Sequence, residues 1–288
     1  MTAFKPCIGI IGYGFVGQAV AYGFSTATIA IYDKYKSGFD NLEKVIDDSE
    51  FIFICLPTPI KSDESGIDLN IIEDTLSVIT EQTNNTNKII IIKSTVIPGS
   101  THKWANQYSH SNFAFNPEFL TEKNYLQDFV CADRTIIGAL NNDISHRVGA
   151  LYKQQFPYTP IFQTDPTTAE MVKYMSNCYL ATKVLFANEM YEICQNLEIK
   201  YEEVKRMVVA DRRIFDSHLD ITAERGFGGK CLPKDLLALR ALAKDKGADT
   251  SLLDTVWQKN LKVRKIHDWE EIPFAVTKVE KNPPEIKP

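Results

Sequence analysis

The sequence lacks the features that mark several large classes of protein. Apolar runs such as the four isoleucines at 89–92 are far shorter than the roughly 20 residues needed to cross a bilayer, so no membrane segment is expected. Basic residues are not in excess, because 32 Lys and Arg stand against 37 Asp and Glu for a net charge of -5. Binding nucleic acid by phosphate neutralisation needs a clustered basic surface, so no nucleic-acid partner is expected.

Cysteine and histidine occur without the spacings that build structural sites. The six cysteines include no C-x-x-C pair, and the five histidines show no metal-ligand spacing. Neither a metal site nor a disulfide framework is predicted. The first eleven residues hold one lysine and a short apolar run that leads into a glycine loop, which favours a first strand over a cleaved signal. We therefore expect a cytoplasmic protein.

The first half alternates short apolar runs with stretches of helical spacing, a pattern typical of βαβ units in a parallel sheet. Strands are predicted near 7–12, 28–32, 50–55, 88–93, 112–115, 134–138 and 160–163. Helices are predicted at 15–24, 41–47, 70–81, 99–107, 121–127 and 142–154. These elements predict an α/β fold, a Rossmann-like doubly wound parallel sheet over residues 1–164.

The second half is predicted to be an all-helical domain over residues 165–266. No Gly or Pro occurs between 167 and 196, and apolar residues recur there at helical intervals, which predicts one long helix. Shorter helices are expected at 201–209, 234–246 and 251–265. A small bundle of this kind buries little surface alone, so packing against the first domain or a second copy is expected. Residues 267–288 hold four prolines and many charges and are predicted to be a flexible tail.

A glycine-rich loop follows the first predicted strand and precedes the first helix. Glycines in this context let a pyrophosphate approach a helix N-terminus, whose N–H groups and dipole favour an anion. The second strand ends in Asp33, where a carboxylate would bind a ribose diol and repel a 2′-phosphate. NAD is therefore favoured over NADP, although Lys34 and Lys36 lie next to that carboxylate. The loop residues are Gly12, Tyr13, Gly14, Phe15, Val16 and Gly17.

A second glycine-rich stretch, at 226–229, runs into Cys231. Pro233 suits the first turn of a following helix, so the thiol is expected at a helix N-terminus between Lys230 and Lys234. Both features stabilise a thiolate, the nucleophilic form of cysteine. A lone cysteine is more often a small buried residue, and we expect that for Cys7, Cys55, Cys178 and Cys194.

Further polar residues fall at positions that suit a site. Glu170, Lys173 and Asn177 share one face of the predicted long helix, where an ammonium and an amide could bind an oxyanion. By residue type alone, a solvated face is the commoner explanation. The Ser94-Thr95 pair and the Asn116–Glu118 run follow predicted strands, at the carboxyl ends where doubly wound sheets bind ligands.

These motifs resemble those of the UDP-glucose/GDP-mannose dehydrogenase family, and of its UDP-glucose 6-dehydrogenases in particular. The matching segments appear in the family's order, and chance agreement of so many linked motifs is remote. They are residues 12–17, 57–59, 94–96, 116–120, 173–177 with 181–183, and 226–235.

The resemblance implies two successive oxidations of a sugar C6 alcohol by NAD. In the first, Lys173 and Asn177 would hold the substrate oxygen, while a water positioned by Asp235 and Thr95 accepts the proton. The product of this step would be an aldehyde.

In the second oxidation implied by the resemblance, Cys231 would add to the aldehyde as a thiohemiacetal and become a thioester. Glu118 would then assist hydrolysis to the acid. The family's contacts with NAD map onto Thr58, Ser94, Thr95, Glu122 and Lys234, and its contacts with substrate map onto Glu118, Phe119, Leu120, Lys173, Asn177, Arg213, Phe227 and Gly228.

The resemblance also implies a homodimer built on the central helices, with Arg213 reaching across it to the sugar nucleotide. Three features depart from the family, and the first is a 214–225 loop that is longer than in the full-length relatives. Lys123 replaces a glycine after the 116–122 run, and the 288 residues end before the further α/β domain that usually covers the nucleotide, so the resemblance is to a short form. Three alternatives stay open: another nucleotide sugar, a smaller alcohol, or a non-catalytic NAD-binding relative.

Overall fold

The computed structural model describes residues 5–277, and this part of the chain contains nine strands and ten α-helices. The strands are β1 (Cys7–Ile11), β2 (Thr28–Tyr32), β3 (Phe51–Ile54), β4 (Ile60–Lys61), β5 (Ile89–Ile92), β6 (Asn112–Phe115), β7 (Thr135–Ala139), β8 (Ile161–Thr164) and β9 (Val276–Thr277). The helices are α1 (Phe15–Gly23), α2 (Leu42–Asp48), α3 (Asn70–Thr83), α4 (Ser100–Gln107), α5 (Tyr125–Val130), α6 (Asn142–Gln155), α7 (Pro166–Asn196), α8 (Tyr201–Val208), α9 (Cys231–Asp245) and α10 (Ser251–Val263).

The chain divides into two compact units. Among the described residues, the first unit comprises 5–58 and 69–173, and the second comprises 59–68 and 174–277. The sequence placed the boundary after residue 164, whereas the first unit also includes the opening turns of α7. It also missed the short excursion at 59–68, because only tertiary contacts assign that segment to the second unit.

The first unit is built on a seven-stranded sheet in the order β2-β1-β3-β5-β6-β7-β8. Neighbouring strands are parallel with one exception, because β6 and β7 pair antiparallel. The predicted parallel sheet is therefore mixed, with this one antiparallel pair. Residues 116–134 between the two strands include only the six-residue α5, about 9 Å of helix, so β7 enters the sheet from the end at which β6 leaves it.

The sheet is covered on both faces, which makes its strands almost wholly apolar. Ile89 and Ile91 pack into the hydrophobic cluster on one face, and Ile90 and Ile92 pack into the cluster on the other. The Rossmann-like α/β fold predicted from the sequence is therefore present, with one reversed strand pair. The predicted helix at 121–127 lies later in the chain, at Tyr125–Val130.

The second unit is mainly helical. It contains the greater part of α7 together with α8, α9 and α10, and a small parallel pair formed by β4 and β9. Helix α7 begins at Pro166, where Asp165 accepts a hydrogen bond from the backbone N–H of Thr168, an N-cap followed by a proline at the first position. Within residues 5–277, no helix is long and apolar enough to cross a membrane.

The first part of the predicted tail is ordered. Residues Asp268–Glu270 form a single 3-10 turn, and Trp269 is only 3% exposed because it packs beside Trp257. Val276 and Thr277 form β9, against β4. The composition of this segment did not predict its order, because the burial of one tryptophan stabilises it despite its several exposed charges. Residues 278–288 lie outside the described part of the chain.

Candidate functional site

The loop between β1 and α1 has space for an anion. Gly12 has a φ of +91°, and a Cβ on Gly17 would lie 2.1 Å from the carbonyl oxygen of Gly12. A Cβ on Gly14 would meet nothing within 4 Å, and α1 has neither a side-chain cap nor an acidic residue in its first turn. The helix N-terminus therefore keeps N–H donors for a ligand, and these residues fit the pyrophosphate of a dinucleotide.

Asp33 lies directly after β2 and is tied to this loop. Its Oδ2 accepts the N–H of Tyr13 at 2.8 Å, and its Oδ1 accepts the N–H of Tyr35 at 2.9 Å. The Lys36 Nζ donates to the carbonyl oxygen of Tyr13 at 2.5 Å. A carboxylate offers about four acceptor positions, so Asp33 can still accept hydrogen bonds from a ribose diol.

The carboxyl ends of β3 and β5 are joined by hydroxyl side chains. Ser94 Oγ donates to the carbonyl oxygen of Leu56 at 2.7 Å, and Thr58 Oγ1 donates to that of Thr95 at 2.9 Å. Ser94 and Thr58 are buried, whereas Thr95 is half-buried. The two predicted segments are thus brought together at one edge of the sheet.

Glu118 and Lys173 form a buried ion pair. Lys173 Nζ lies 2.8 Å from Glu118 Oε1, and the two side chains are 3% and 9% exposed. Glu118 Oε2 also accepts the N–H of Leu120 at 2.8 Å. Burial raises the pKa of Glu118, but Lys173 and the Leu120 hydrogen bond lower it by more, so it lies below its usual value. Glu118 is therefore held as a carboxylate.

Lys93 is a buried cation that the sequence analysis did not single out. Its Nζ donates to Asn116 Oδ1 at 2.7 Å and to the carbonyl oxygen of Pro117 at 3.2 Å, while Asn116 Nδ2 donates to the carbonyl oxygen of Ile136 at 2.7 Å. Burial lowers the pKa of Lys93 to about 8. This network fixes the turn that carries Glu118. The signal in the sequence was that Lys93 directly precedes the Ser94-Thr95 pair.

Glu170 is hydrogen-bonded to backbone N–H groups instead of being exposed to solvent. Its oxygens accept the N–H groups of Gly99 at 2.5 Å and Thr101 at 2.9 Å, at the N-terminus of α4. Burial raises its pKa to about 7, against the effect of these hydrogen bonds. Glu170, Lys173 and Asn177 are all buried, so the expectation of a solvated face from residue type does not hold.

In the second unit, Cys231 is the first residue of α9 and is half-buried. One turn later, Asp235 is fully buried, and its Oδ2 accepts Asn177 Nδ2 at 2.5 Å. Lys234 forms an ion pair with Asp235 Oδ1. Cys178 is buried beside the same segment, which raises the pKa of its thiol to about 12. The structure thus distinguishes the two thiols: Cys178 is inert, and Cys231 stands at a helix N-terminus.

The glycine loop before Cys231 is held by two buried asparagines that the sequence did not single out. Asn188 Oδ1 accepts the N–H of Gly226 at 3.2 Å. The amide of Asn260 pairs with the backbone of Phe227 on both sides, at 2.8 Å to its N–H and 3.0 Å to its carbonyl oxygen. Gly226 has a φ of +52°, and a Cβ there would lie 2.4 Å from Asn260 Oδ1, so only glycine allows this approach.

The remaining predicted residues lie in different surroundings. Phe227 is buried, Phe119 and Leu120 are half-buried, and Glu122 is exposed. Arg213 has an 88% exposed side chain and pairs with Asp211. Cys7, expected to be buried, is half-buried. Within residues 5–277, no group of three or more His, Cys, Asp or Glu side chains is arranged to hold a metal ion.

Both halves of the chain match profiles of one protein family. The profile of the UDP-glucose/GDP-mannose dehydrogenase family, NAD binding domain, matches residues 33–156, and that of the family's central domain matches residues 167–262. With the glycine loop and the sheet order, the first match defines a Rossmann-like protein whose cofactor is NAD, as predicted. The chain belongs to the UDP-glucose/GDP-mannose dehydrogenase family.

Individual relatives agree with this assignment. The UDP-glucose 6-dehydrogenase of Rickettsia bellii is 34% identical over 223 residues, which cover 75% of this chain and 50% of that protein. The putative UDP-glucose 6-dehydrogenase YtcA of Bacillus subtilis is 35% identical over 240 residues, covering 78% and 55%. A UDP-glucose dehydrogenase structure from Pyrobaculum islandicum matches with a TM-score of 0.81 at 25% identity, over 91% of this chain and 69% of that one. The chain spans about half the length of the curated relatives it matches.

Proposed function

We propose that this chain oxidises the C6 alcohol of a nucleotide sugar to the carboxylate, with UDP-glucose as substrate and UDP-glucuronate as product. The observation that carries the proposal is the position of Cys231, at the start of α9, with the buried Asp235–Asn177 pair one turn further on. Inert thiols in this chain, such as Cys178, are buried instead. The relatives named above supply the choice of UDP-glucose.

NAD, when bound, supplies the acceptor for the hydride removed in each oxidation. The loop at 12–17 would hold its pyrophosphate and Asp33 its ribose, with Thr58, Ser94, Thr95, Glu122 and Lys234 as further contacts. The structure supports the first two roles through the open space at Gly14 and the tethering of Asp33 to Tyr13.

In the first oxidation, the substrate alcohol loses its proton to a water positioned by Asp235 and Thr95. Asn177 donates one N–H to Asp235, and its amide nitrogen carries a second N–H for the substrate oxygen. The Lys173 ammonium stabilises negative charge on the same oxygen. The aldehyde that results has a carbon open to a nucleophile.

In the second oxidation, Cys231 Sγ bonds to the aldehyde carbon, the thiol proton leaves to solvent, and the aldehyde oxygen becomes the alkoxide of a thiohemiacetal. Loss of a second hydride converts this thiohemiacetal to a thioester. Water then cleaves the C–S bond, which returns the thiol and releases the carboxylic acid. Glu118, held as a carboxylate by Lys173, accepts a proton from that water.

Substrate contacts are proposed for Phe119, Leu120, Phe227 and Gly228, with Glu118, Lys173 and Asn177 at the reacting end. Arg213 is proposed to contact the nucleotide bound by a second copy of the chain. Its exposure supports this role, since an exposed guanidinium can exchange its contact with Asp211 for a neighbouring molecule's phosphates.

We also propose a homodimer. Met175, Tyr179, Phe186 and Ile193 lie on α7 at intervals of four and seven residues, so they share one face, and all four are exposed. A contiguous apolar face of this kind marks an association surface. Phe186→Glu should convert dimers to monomers in sedimentation experiments, and an unchanged mass would refute this surface.

The activity is tested by following reduced cofactor with UDP-glucose, GDP-mannose and UDP-N-acetylmannosamine. We expect UDP-glucose to give two NADH for each carboxylate formed. Cys231→Ser should lose carboxylate formation, while the exposed-thiol control Cys131→Ser should keep it. Full turnover by Cys231→Ser would refute the covalent scheme. NAD binding without reduction by any nucleotide sugar would refute the activity and favour a non-catalytic relative.

A further inference from the structure

The loop that leads into Cys231 has a third attachment, beyond Asn188 and Asn260. The backbone N–H of Gly229 donates to Asp268 Oδ2 at 3.1 Å. Asp268 lies 39 residues further along the chain, in the stretch after α10. Gly229 has a φ of +71° and stands two residues before Cys231. Glycine has no Cβ to limit its backbone, so this hydrogen bond restrains a flexible peptide that lies close to the thiol in sequence.

Asp268 meets the loop as half of an ion pair. Arg264 Nη2 lies 3.0 Å from Asp268 Oδ1, and Arg264 Nη1 donates to the carbonyl oxygen of Arg225 at 3.0 Å. The pair packs directly on Gly228, where a Cβ would lie 2.2 Å from Asp268 Oδ1 and 2.3 Å from Arg264 Nη2. Arg264 therefore binds the loop at Arg225, and Asp268 binds it at Gly229. Only glycine at 228 leaves room for both side chains.

The pair is itself fixed by its neighbours. Trp269 is buried beside Trp257, with ring centroids 5.5 Å apart, and His267 stacks on Trp269 at 4.8 Å. Arg264 directly follows the end of α10. The side chain of Asp268 is 36% exposed, yet the next residue, Trp269, is buried in the core of the second unit, and His267 on the other side stacks on that ring. Asp268 is therefore held in a fixed position beside the loop.

We propose that Asp268, backed by Arg264, is a positioning residue that holds the glycine loop in the conformation in which Cys231 reacts. This inference rests on the proposed function for its effect on turnover, but the attachment itself is independent of it. Without the carboxylate, the N–H of Gly229 loses its acceptor and the peptide before α9 is released. Fewer molecules then present the thiol correctly, although the thiol becomes easier to reach.

The test compares three variants. Asp268→Ala removes the acceptor, and Asp268→Asn keeps an oxygen for the Gly229 N–H but loses the charge. Glu270→Ala is the matched control, at an exposed acid that lies next to His267. Hydrogen exchange of the 225–233 peptide should accelerate in Asp268→Ala about tenfold, the factor expected for a hydrogen bond to a charged group. Asp268→Asn should lie between it and the wild type, and Glu270→Ala should match the wild type.

Two further readouts separate positioning from loss of structure. Alkylation of Cys231 by iodoacetamide should be faster in Asp268→Ala, while Cys178 and Cys194, buried in the same unit, stay protected. With nucleotide sugar, kcat should fall about tenfold, with KM for NAD unchanged. Faster alkylation with lower kcat is the signature of a displaced thiol.

Wild-type exchange and alkylation in Asp268→Ala would overturn the proposal, as would exposure of Cys178 and Cys194, which would mean that the unit had unfolded. If the wild type shows no dehydrogenase activity, the proposed function fails, and exchange and alkylation still decide whether Asp268 holds the loop.

Discussion

The buried ion pair between Glu118 and Lys173 gives the sharpest quantitative prediction. Both side chains are almost fully excluded from solvent, so Lys173→Met leaves a carboxylate buried without its main counter-charge. Breaking a buried pair in this way costs about 3–5 kcal/mol. The double variant Lys173→Met/Glu118→Gln removes both charges and should recover on the order of 2 kcal/mol of that loss.

The pH dependence of this loss has a definite sign. In the wild type, the pKa of Glu118 lies below its usual value of 4.5, so its contribution is present above that value and is lost as the pH falls below it. In Lys173→Met, both pKa-lowering effects of Lys173 are gone, and burial, the largest single effect on Glu118, outweighs the remaining Leu120 hydrogen bond and the Lys93 charge. The pKa of Glu118 is then higher than in the wild type, so protonation stabilises the variant at a higher pH. The stability difference between wild type and variant should therefore shrink from about pH 8 to about pH 5.

The assay is urea unfolding followed by circular dichroism, for wild type, both single variants and the double variant at each pH. A loss below about 1 kcal/mol for Lys173→Met at neutral pH would show that the pair is solvated, as exposed pairs are. A difference that grows toward low pH would refute the assignment of charge to Glu118. Either result would also remove the physical basis for Glu118 as the base in hydrolysis.

Three other predictions follow from single contacts. Gly17→Ala places a Cβ against the carbonyl oxygen of Gly12, so NAD binding measured by calorimetry should weaken about tenfold or more; unchanged affinity would contradict the proposed pyrophosphate site. The pKa of Lys93 is lowered from 10.5 to about 8, so wild-type stability should increase as the pH rises from about 8 to 10.5. Lys93→Met should abolish that increase in thermal melts. The pKa of Glu170 is raised from 4.5 to about 7, so wild-type stability should decline across that interval as the pH rises. Glu170→Gln should show no such decline, and a parallel pH profile in the two proteins would count against the assignment.

Features that depend on local chemistry could be predicted from the residues alone. The glycine loop, the strand that precedes it and the helix that follows were predicted within one residue, because glycine, apolar runs and helix starts are read from neighbouring residues. The same reasoning placed Cys231 at a helix N-terminus, and Pro233 falls within the first turn of α9, as expected. The family followed from several such local motifs in order.

The burial of the polar residues and the partners they contact depend on how distant segments of the chain pack together. Lys173 and Glu118 are 55 residues apart in sequence, Asn260 and Phe227 are 33 apart, and Asp268 and Gly229 are 39 apart. A lysine or glutamate at helical spacing has the same local pattern whether it faces water or a distant carboxylate. The burial of such a side chain depends on which distant segment packs over it, and the neighbouring residues do not identify that segment. The reversed strand β7 and the ordered stretch around Trp269 were missed for the same reason.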